Sequence, residues 1–404
     1  MQKFRSTPTR SQSLDKILAS AQLYGIKPAL NRVLEIGYGY GDALKHNARI
    51  FPNLEFCGIE RDEEFLNQKT EAPNLTFSRD PNGKFDIVLA FGIYSWENES
   101  ILDLISSSLR EGGLCVCSFL VRPGFFLRDT LREWIRTNKD LSPRECLRVL
   151  KESTPYEFEH PYGLLLHREL SRIEQESDSY INAELVSEKI SPKYLTEVAQ
   201  DFENVGLQYL GDVRPMRTRV RRGLSRVETD LSLDFSHGIP FREGIFVKQS
   251  APITGTAPIT KGIYLSASLE SVATEEEIEE EFFRKNWPEQ YEWESVKLDN
   301  LSDLVFKEKI EASTLKFQIP SSLPEKPKVL PKLGRSYANI RYDPVLLGPF
   351  EEEIALRSDG TKTLSDIASE LQKLMGSDAM SFEETLESVT DGAKTLLKAG
   401  LIVG

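Results

Sequence analysis

Residues 33–44, VLEIGYGYGDAL, decide the fold: an apolar run ends at Glu35-Ile36, glycines stand at 37, 39 and 41, and an amphipathic stretch, ALKHNARIF, begins at once. This is a strand entering a helix through a turn of bare backbone. Glycine there lets the main chain turn tightly and lets a ligand approach without meeting a Cβ. A dinucleotide loop uses the same position but reads G-x-G-x-x-G, with a pyrophosphate resting on the helix N-terminus. Here Asp42 takes the third glycine's place, where an anion is poorly received. The spacing E-x-G-x-G-x-G suits a ligand without phosphates, such as S-adenosylmethionine, whose amino-acid part can lie against the loop.

Outward from this loop, RVLEIG, LEFCGIE, LTFS, FDIVLAFG and LCVCSFL read as strands, with ALKHNARIF, EEFLNQK and ESILDLISSSLR as the helices between them. Strands separated by helical crossovers predict a mostly parallel sheet with helices on both faces, an α/β, Rossmann-like arrangement. Glu60 ends the second strand, where a carboxylate can accept both ribose hydroxyl protons. Asp80 follows the third strand, within reach of an adenine amino group. Acidic residues after strands are common turn formers, so their weight comes from occurring in this order behind the glycine loop. Upstream, SLDKILASAQLYGI is an amphipathic helix with Ser13 as N-cap and Gly25 near its end, placed to pack on the sheet or to fold over its C-terminal edge.

Beyond residue 120 the texture is helical: FLRDTLREWIR, PRECLRVLKE, YGLLLHRELSRIE and SPKYLTEVAQDFENVG. FREGIFVK and KGIYLSASL read as strands of a second compact unit, joined by APITGTAPIT. Pro320, Pro324, Pro327, Pro331 and Pro344 predict a linker or extended segment. The last sixty residues resemble a small winged-helix-type module. From Glu351 to Gly404 there are eleven acidic against five basic side chains, a sign that disfavours a recognition helix on phosphate. The expected division is 1–138 for the ligand-binding sheet, 139–250 for a helical unit, 251–340 for a middle α+β segment and linker, and 341–404 for the C-terminal module.

The whole chain has 404 residues, 28% of them charged, and a net charge of −13. That acidity argues against a general nucleic-acid binder, because phosphate neutralisation supplies most non-specific affinity. Arg214, Arg217, Arg219, Arg221, Arg222 and Arg226 form a basic exception, read as a solvated loop facing acidic runs such as Glu275 to Glu281. No secretory leader and no apolar run of membrane-spanning length is visible, so a cytoplasmic location without membrane insertion is expected. Cys57, Cys115, Cys117 and Cys146 form no C-x-x-C pair. Cys115 and Cys117 alternate as one face of a buried strand, and His46, His160, His167 and His237 offer no ligand spacing, so no metal is expected.

The chain resembles class I S-adenosylmethionine-dependent methyltransferases, and within them bacterial ones with a methyltransferase regulatory domain, such as rickettsial lysine methyltransferases acting on outer-membrane proteins. VLEIGYGYGDAL, GKFDIVLAFGIYSW (83–96) and VRPGFFLRDTLREW (121–134) carry the likeness. It continues through YGLLLHRELSRIE and YLTEVAQDFENVGLQYLGDV (194–213), similar to the group's regulatory segment. Two departures stand out: Tyr38-Gly39-Tyr40-Gly41-Asp42 replaces the usual Cys-Gly-Asn-Gly-Gly, and Arg122-Pro123-Gly124-Phe125 replaces Tyr-Pro-Gly-Trp.

The resemblance implies S-adenosyl-L-methionine as cofactor, held by Glu35, Gly37, Tyr38, Gly39, Gly41, Glu60, Arg61, Asp80, Pro81, Phe91 and Gly92. Tyr94 and Trp96, just past the fourth strand, are the expected catalytic residues, walling the methyl-transfer channel with rings able to contact a cation. A protein side chain, with lysine first, is the expected acceptor, and a homodimer the expected assembly. A small-molecule or natural-product methyltransferase and a non-catalytic cofactor-binding scaffold are the alternatives.

Overall fold

The computed structural model describes residues 12–66, 72–97, 100–156, 159–214, 223–248, 257–267, 282, 289–299, 301–306, 310–316, 320, 322–330, 332–333, 336–339, 344–376 and 380–403. Helix α1 (Leu14–Leu23) precedes β1 (Arg32–Ile36), the glycine loop and α2 (Asp42–Ile50). Next come β2 (Glu55–Ile59), the short α3 (Glu63–Leu66), β3 (Leu75–Ser78), β4 (Phe85–Ala90), α4 (Tyr94–Glu97), α5 (Ser100–Ser108) and β5 (Leu109–Leu120). All five strands read from the apolar runs are present. The helix ESILDLISSSLR is shorter than its pattern, because Leu109 and Arg110 already belong to β5.

These strands lie parallel in the order β3-β2-β1-β4-β5. The order reverses between β1 and β4, and the glycine loop leaves the sheet at that reversal, where open α/β sheets form a ligand crevice. The sheet has two further strands, β6 (Leu207–Asp212) and β7 (Phe241–Lys248), with β7 antiparallel to both β5 and β6. Two expectations are corrected here. Residues 139–250 are not a separate helical unit throughout, since 207–212 and 241–248 complete the main sheet. FREGIFVK does not pair with KGIYLSASL; it pairs from Leu114↔Val247 to Leu120↔Phe241 along β5. The alternation that made it a strand could not name its partner.

Alternate residues feed two cores. On one face Leu34, Ile59, Val88, Cys115, Cys117 and Phe119 pack against α5 and against α10 (Leu195–Asn204). On the other, Val33, Phe56, Ile87, Leu114, Val116 and Ile245 pack against α1 and α2. All four cysteines are free and buried.

Helix α1 departs from its amphipathic reading: all ten residues are buried, Asp15, Lys16, Ser20 and Gln22 included. A second layer covers its polar side. Strands β8 (Tyr264–Ala267), β9 (Tyr291–Glu292) and β10 (Ile310–Ser313) form an antiparallel sheet in the order β10-β8-β9. Lys16 pairs with Glu311 at 2.6 Å, and Ser313 Oγ donates to Asp15 Oδ2 at 2.6 Å. A helix covered on both sides buries its whole circumference, and Asp15 and Lys16 pair across the second contact. Ser13 occupies the N-cap position, but its hydroxyl bonds Asp15 rather than a backbone amide.

Between β5 and α10 the chain builds the helical insert: α6 (Phe126–Thr137), α7 (Pro143–Ser153), α8 (Pro161–Glu174), α9 (Asp178–Ile181) and a π-helical turn, Asn182–Val186. Leu131, Ile135, Cys146, Leu166, Leu170 and Ile173 form its core. After β6, helix α11 (Arg226–His237) brings Asp230 and Asp234 to Arg242 on β7. Arg242 Nε donates to Asp234 Oδ1 at 2.7 Å, and its other nitrogens reach Asp212 Oδ2 at 3.2 Å and the Asp230 carbonyl at 2.8 Å.

At the C-terminal end, helices 349–357, 364–375 and 382–398 surround Ile354, Ile367, Leu371, Val389 and Leu396. Val329 pairs with Ile402 in a two-stranded edge, and the described residues of the proline-punctuated stretch include the short strands 328–329, 332–333, 336–338 and 344–345. Three helices with a two-residue paired edge do not by themselves confirm the winged-helix-like expectation. Arg217 to Arg222, the first APIT of the repeat and Glu275 to Glu281 lie outside the described residues. Among the described residues no helix is long and apolar enough to cross a membrane.

Candidate active site

The loop between β1 and α2 takes its shape from three glycines, Gly37, Gly39 and Gly41, at φ 72°, 56° and 68°. This is the left-handed region that side chains avoid. Its first residue is tied to the sheet, with Gly37 N donating to Ile59 O, and the loop closes on itself, with Gly41 N donating to Tyr38 O, both at 2.8 Å. Helix α2 starts at Asp42, so the positive end of its dipole already faces a carboxylate of the chain.

Glu60, buried at the end of β2, reaches across to this loop. Its Oε2 accepts the Gly39 amide at 3.1 Å, while Oε1 accepts the amides of Arg61 at 2.9 Å and Asp62 at 3.3 Å. A carboxylate has about four lone-pair directions, so these bonds orient it and leave capacity for a ligand hydroxyl. Glu35 is buried on β1, in register with Gly58 on β2 and Leu89 on β4.

The tyrosine departures have a structural reason. Tyr38 turns inward and is buried; its hydroxyl donates to Phe65 O at 2.9 Å and its ring lies 4.5 Å from Phe77. Burial, with Glu60 nearby, pushes its phenol up to about 12. Tyr40 sets its ring edge-on to Phe65 at 4.9 Å. Space for Tyr38 depends on Gly58, where a Cβ would stand 2.7 Å from the Tyr38 ring, 2.8 Å from Phe77 and 2.9 Å from Leu44. Gly58 was missed by the motif, although a glycine inside FCGIE signals close approach.

A cavity of about 60 Å³ opens beside the loop, lined by Ile36, Gly37, Ile59, Glu60, Arg61, Arg79, Asp80, Pro81, Ile93, Ile101 and Leu104. Five residues expected from the sequence thus share it: Gly37, Glu60, Arg61, Asp80 and Pro81. Glu35, Tyr38, Gly39 and Gly41 form or underlie the loop without lining the cavity. Phe91 is half-buried against the core behind it, and Gly92, at φ 67°, donates its amide to Ser118 Oγ at 2.7 Å. The isoleucines and Leu104 carried no chemical signal, because apolar strand and helix ends look like any other core. They supply a greasy wall suited to an uncharged ring.

Tyr94 and Trp96 do not line this cavity. Tyr94 is 4% exposed; its hydroxyl donates to Asp201 Oδ2 on α10, which also accepts Lys193 Nζ at 2.6 Å. Its ring packs on Phe202 at 5.5 Å and Phe119 at 6.2 Å. Trp96 is 5% exposed, packed with Leu120, Phe125 and Ile190, and its indole N–H reaches Ala183 O at 3.4 Å in the π-helical turn. The two rings fasten the end of β4 to α10 and to the helical insert, rather than walling an open channel. Asp201 and Lys193 were invisible as partners of Tyr94 because about a hundred residues separate them in sequence.

No protein-family model matches the chain. An uncharacterized protein of Rickettsia prowazekii (strain Madrid E) is 24% identical over 220 residues, covering 48% of this chain and 40% of that protein. A second protein of the same organism, also uncharacterized, is 24% identical over 200 residues, covering 41% of this chain and 78% of its own length. The chain therefore spans about two fifths of the first relative. Among solved structures, PKMT2 from Rickettsia typhi matches at a TM-score of 0.82 with 18% identity, covering 99% of this chain and 100% of that one. PKMT2 in complex with AdoHcy matches at 0.81 with 17% identity, covering 100% of both chains. The described residues share the fold of PKMT2, with a Rossmann-like sheet of mostly parallel strands at its centre.

Proposed function

We propose that this chain is an S-adenosylmethionine-dependent methyltransferase acting on protein side chains, with lysine as acceptor. One observation carries the reading: Glu60 and the Gly37–Gly41 loop are joined by a hydrogen bond at the sheet's switch point, in a fold shared throughout with PKMT2, which has been solved with AdoHcy. The donor set fits the cofactor. Glu60 accepts from ribose, the bare loop admits the methionine part, Asp80 and Pro81 flank the adenine, and Ile36, Ile59, Ile93, Ile101 and Leu104 surround the apolar ring. Glu35, Tyr38, Arg61, Phe91 and Gly92 complete the binding set as supports of that shape.

The cofactor supplies an electrophilic methyl group. The chain's task is to align the acceptor and exclude water, since an in-line displacement gains most from positioning. Tyr94 and Trp96 serve as positioning residues that fix the turn after β4. Acceptor access is read at the C-terminal ends of β4 and β5, where Tyr194, Phe235 and Phe241 are exposed and the rings of Tyr194 and Phe235 stack at 5.9 Å. Pairing of Leu120 with Phe241 and of Val121 with Lys193 brings this aromatic edge to the end of β5. Such an edge favours a macromolecular acceptor over one enclosed in a small pocket. The reading includes a cytoplasmic homodimer, with the exposed Tyr156, Tyr162 and Leu165 of the helical insert as the surface to be covered.

Incubation with radiolabelled S-adenosylmethionine and a cell lysate should label protein bands, with the label recovered as methyl-lysine after hydrolysis. Label confined to extractable small molecules would move the assignment to a small-molecule acceptor. Absence of label together with absence of AdoHcy binding would remove the enzymatic reading.

A further inference from the structure

A second cavity, sharing no residue with the first, lies between α1 and the β10-β8-β9 sheet. It encloses about 340 Å³ and is lined by Leu18, Gln22, Lys27, Pro28, Leu30, Lys261, Gly262, Tyr264 and Thr314. That volume lies within the common range for small-ligand pockets, about 300–1,000 Å³.

Gln22 is the telling residue. It is 6% exposed, and its backbone carbonyl accepts the Ile259 amide at 2.9 Å, which fastens the segment leading into β8. Its side-chain Oε1 is buried without a hydrogen-bond partner. A donor entering the cavity would satisfy this side chain. Lys27 and Lys261 stand at the same cavity, and neither is paired with a carboxylate among the described residues. This contrasts with Lys16 on the same helix, which is held by Glu311. Leu18, Leu30, Pro28 and Tyr264 supply an apolar wall.

We infer that this cavity binds a small amphiphilic carboxylate: the carboxylate lies at Lys27 and Lys261, an adjoining N–H donates to Gln22 Oε1, and an aliphatic group fills the space against Leu18, Leu30 and Tyr264. Lysine ammonium groups recognise such an anion as point charges. An N-acylated apolar amino acid has this chemistry, whether free or as the last residue of a polypeptide. The inference is independent of the methyl-transfer reading, since the two cavities are separate.

The test is calorimetry on the full chain with N-acetyl-L-leucine, with a heptapeptide ending in a free leucine carboxylate, and with N-acetyl-L-leucinamide as the uncharged control. Saturable binding of either acid, with the amide at least about tenfold weaker, is expected; the stronger of the two acids tells a free compound from a chain end. The double variant Lys27→Glu/Lys261→Glu, both surface positions, should keep its melting temperature and lose at least tenfold in affinity, a change of about 1.4 kcal/mol. Gln22→Leu should weaken both acids as well. Binding of neither acid, equal binding of acid and amide, full competition by inorganic phosphate, or unchanged affinity in the double variant would each overturn the assignment.

Discussion

The carboxylate of Glu60 grips the amide of Gly39 at 3.1 Å, so the acid at the end of one strand sets the shape of the loop at the end of the next. Under the proposed function the same group meets ribose, and replacing it removes a ligand contact and a loop tether together. Glu60→Ala should weaken AdoHcy binding roughly 30- to 1,000-fold, corresponding to about 2–4 kcal/mol for lost charged hydrogen bonds. Calorimetry measures this, and unchanged affinity would remove Glu60 from the site.

Gly58 has no room for a methyl group, because Tyr38, Phe77 and Leu44 all stand within 3 Å of where it would lie. Gly58→Ala should lower stability by about 1–3 kcal/mol, the usual cost of overpacking. It should also weaken cofactor binding, since Tyr38 belongs to the loop. Thermal unfolding with and without AdoHcy separates the two effects.

Trp96 distinguishes packing from chemistry. Buried with Leu120, Phe125 and Ile190, it should cost about 3–5 kcal/mol of stability on Trp96→Ala. Trp96→Phe should recover most stability and keep kcat within a few-fold. A large fall in kcat for Trp96→Phe at unchanged melting temperature would restore the channel-wall role.

His46, fully buried on α2, has its imidazole pushed down to about 3 by burial and by Arg49. Unfolded histidine titrates near 6.5, so between those values the unfolded chain binds the extra proton. The stability this group contributes is present above about pH 6.5 and is lost as the pH falls toward 3. Between about pH 7.5 and pH 5 the loss is about 2 kcal/mol. Asp212 and Asp234, pushed up to about 6 and about 7 by burial, act with the opposite sign in the same window. The comparison is therefore between slopes: denaturant unfolding of His46→Leu should show less acid destabilisation than the parent chain.

Arg242 is the buried cation among Asp212, Asp230 and Asp234. Arg242→Met leaves the Asp212 and Asp234 carboxylates without it and should cost about 3–5 kcal/mol. Chemical denaturation would detect a loss that a surface arginine such as Arg148 would not give.

Much of the fold was legible because β1, β2, β4 and most of β5 are buried on both faces and read as apolar runs between helices, with only the edge strand β3 partly exposed. The cofactor loop was legible because backbone at positive φ demands glycine in sequence. What local pattern could not provide was partner choice. Nothing in FREGIFVK says that it lies against LCVCSFL, or that Asp201 and Lys193 will meet Tyr94. The full burial of α1 was hidden for the same reason: a helix reveals its apolar stripe, but not a second layer that covers its charged side by pairing. The position of Tyr94 and Trp96 after β4 suggests a chemical role, while their side chains are buried against α10 and the helical insert.

The long-range seam along β5 also bears on how the chain is made. As residues leave the ribosome, β5 emerges well over a hundred positions ahead of the strand that covers its outer edge. Until residue 247 has been synthesised, the seven positions from Leu114 to Leu120 lack their full set of β7 partners on that side. An unprotected apolar edge of this length is an adhesive surface, so translation that stalls within the helical insert would leave a nascent chain prone to self-association and dependent on chaperones.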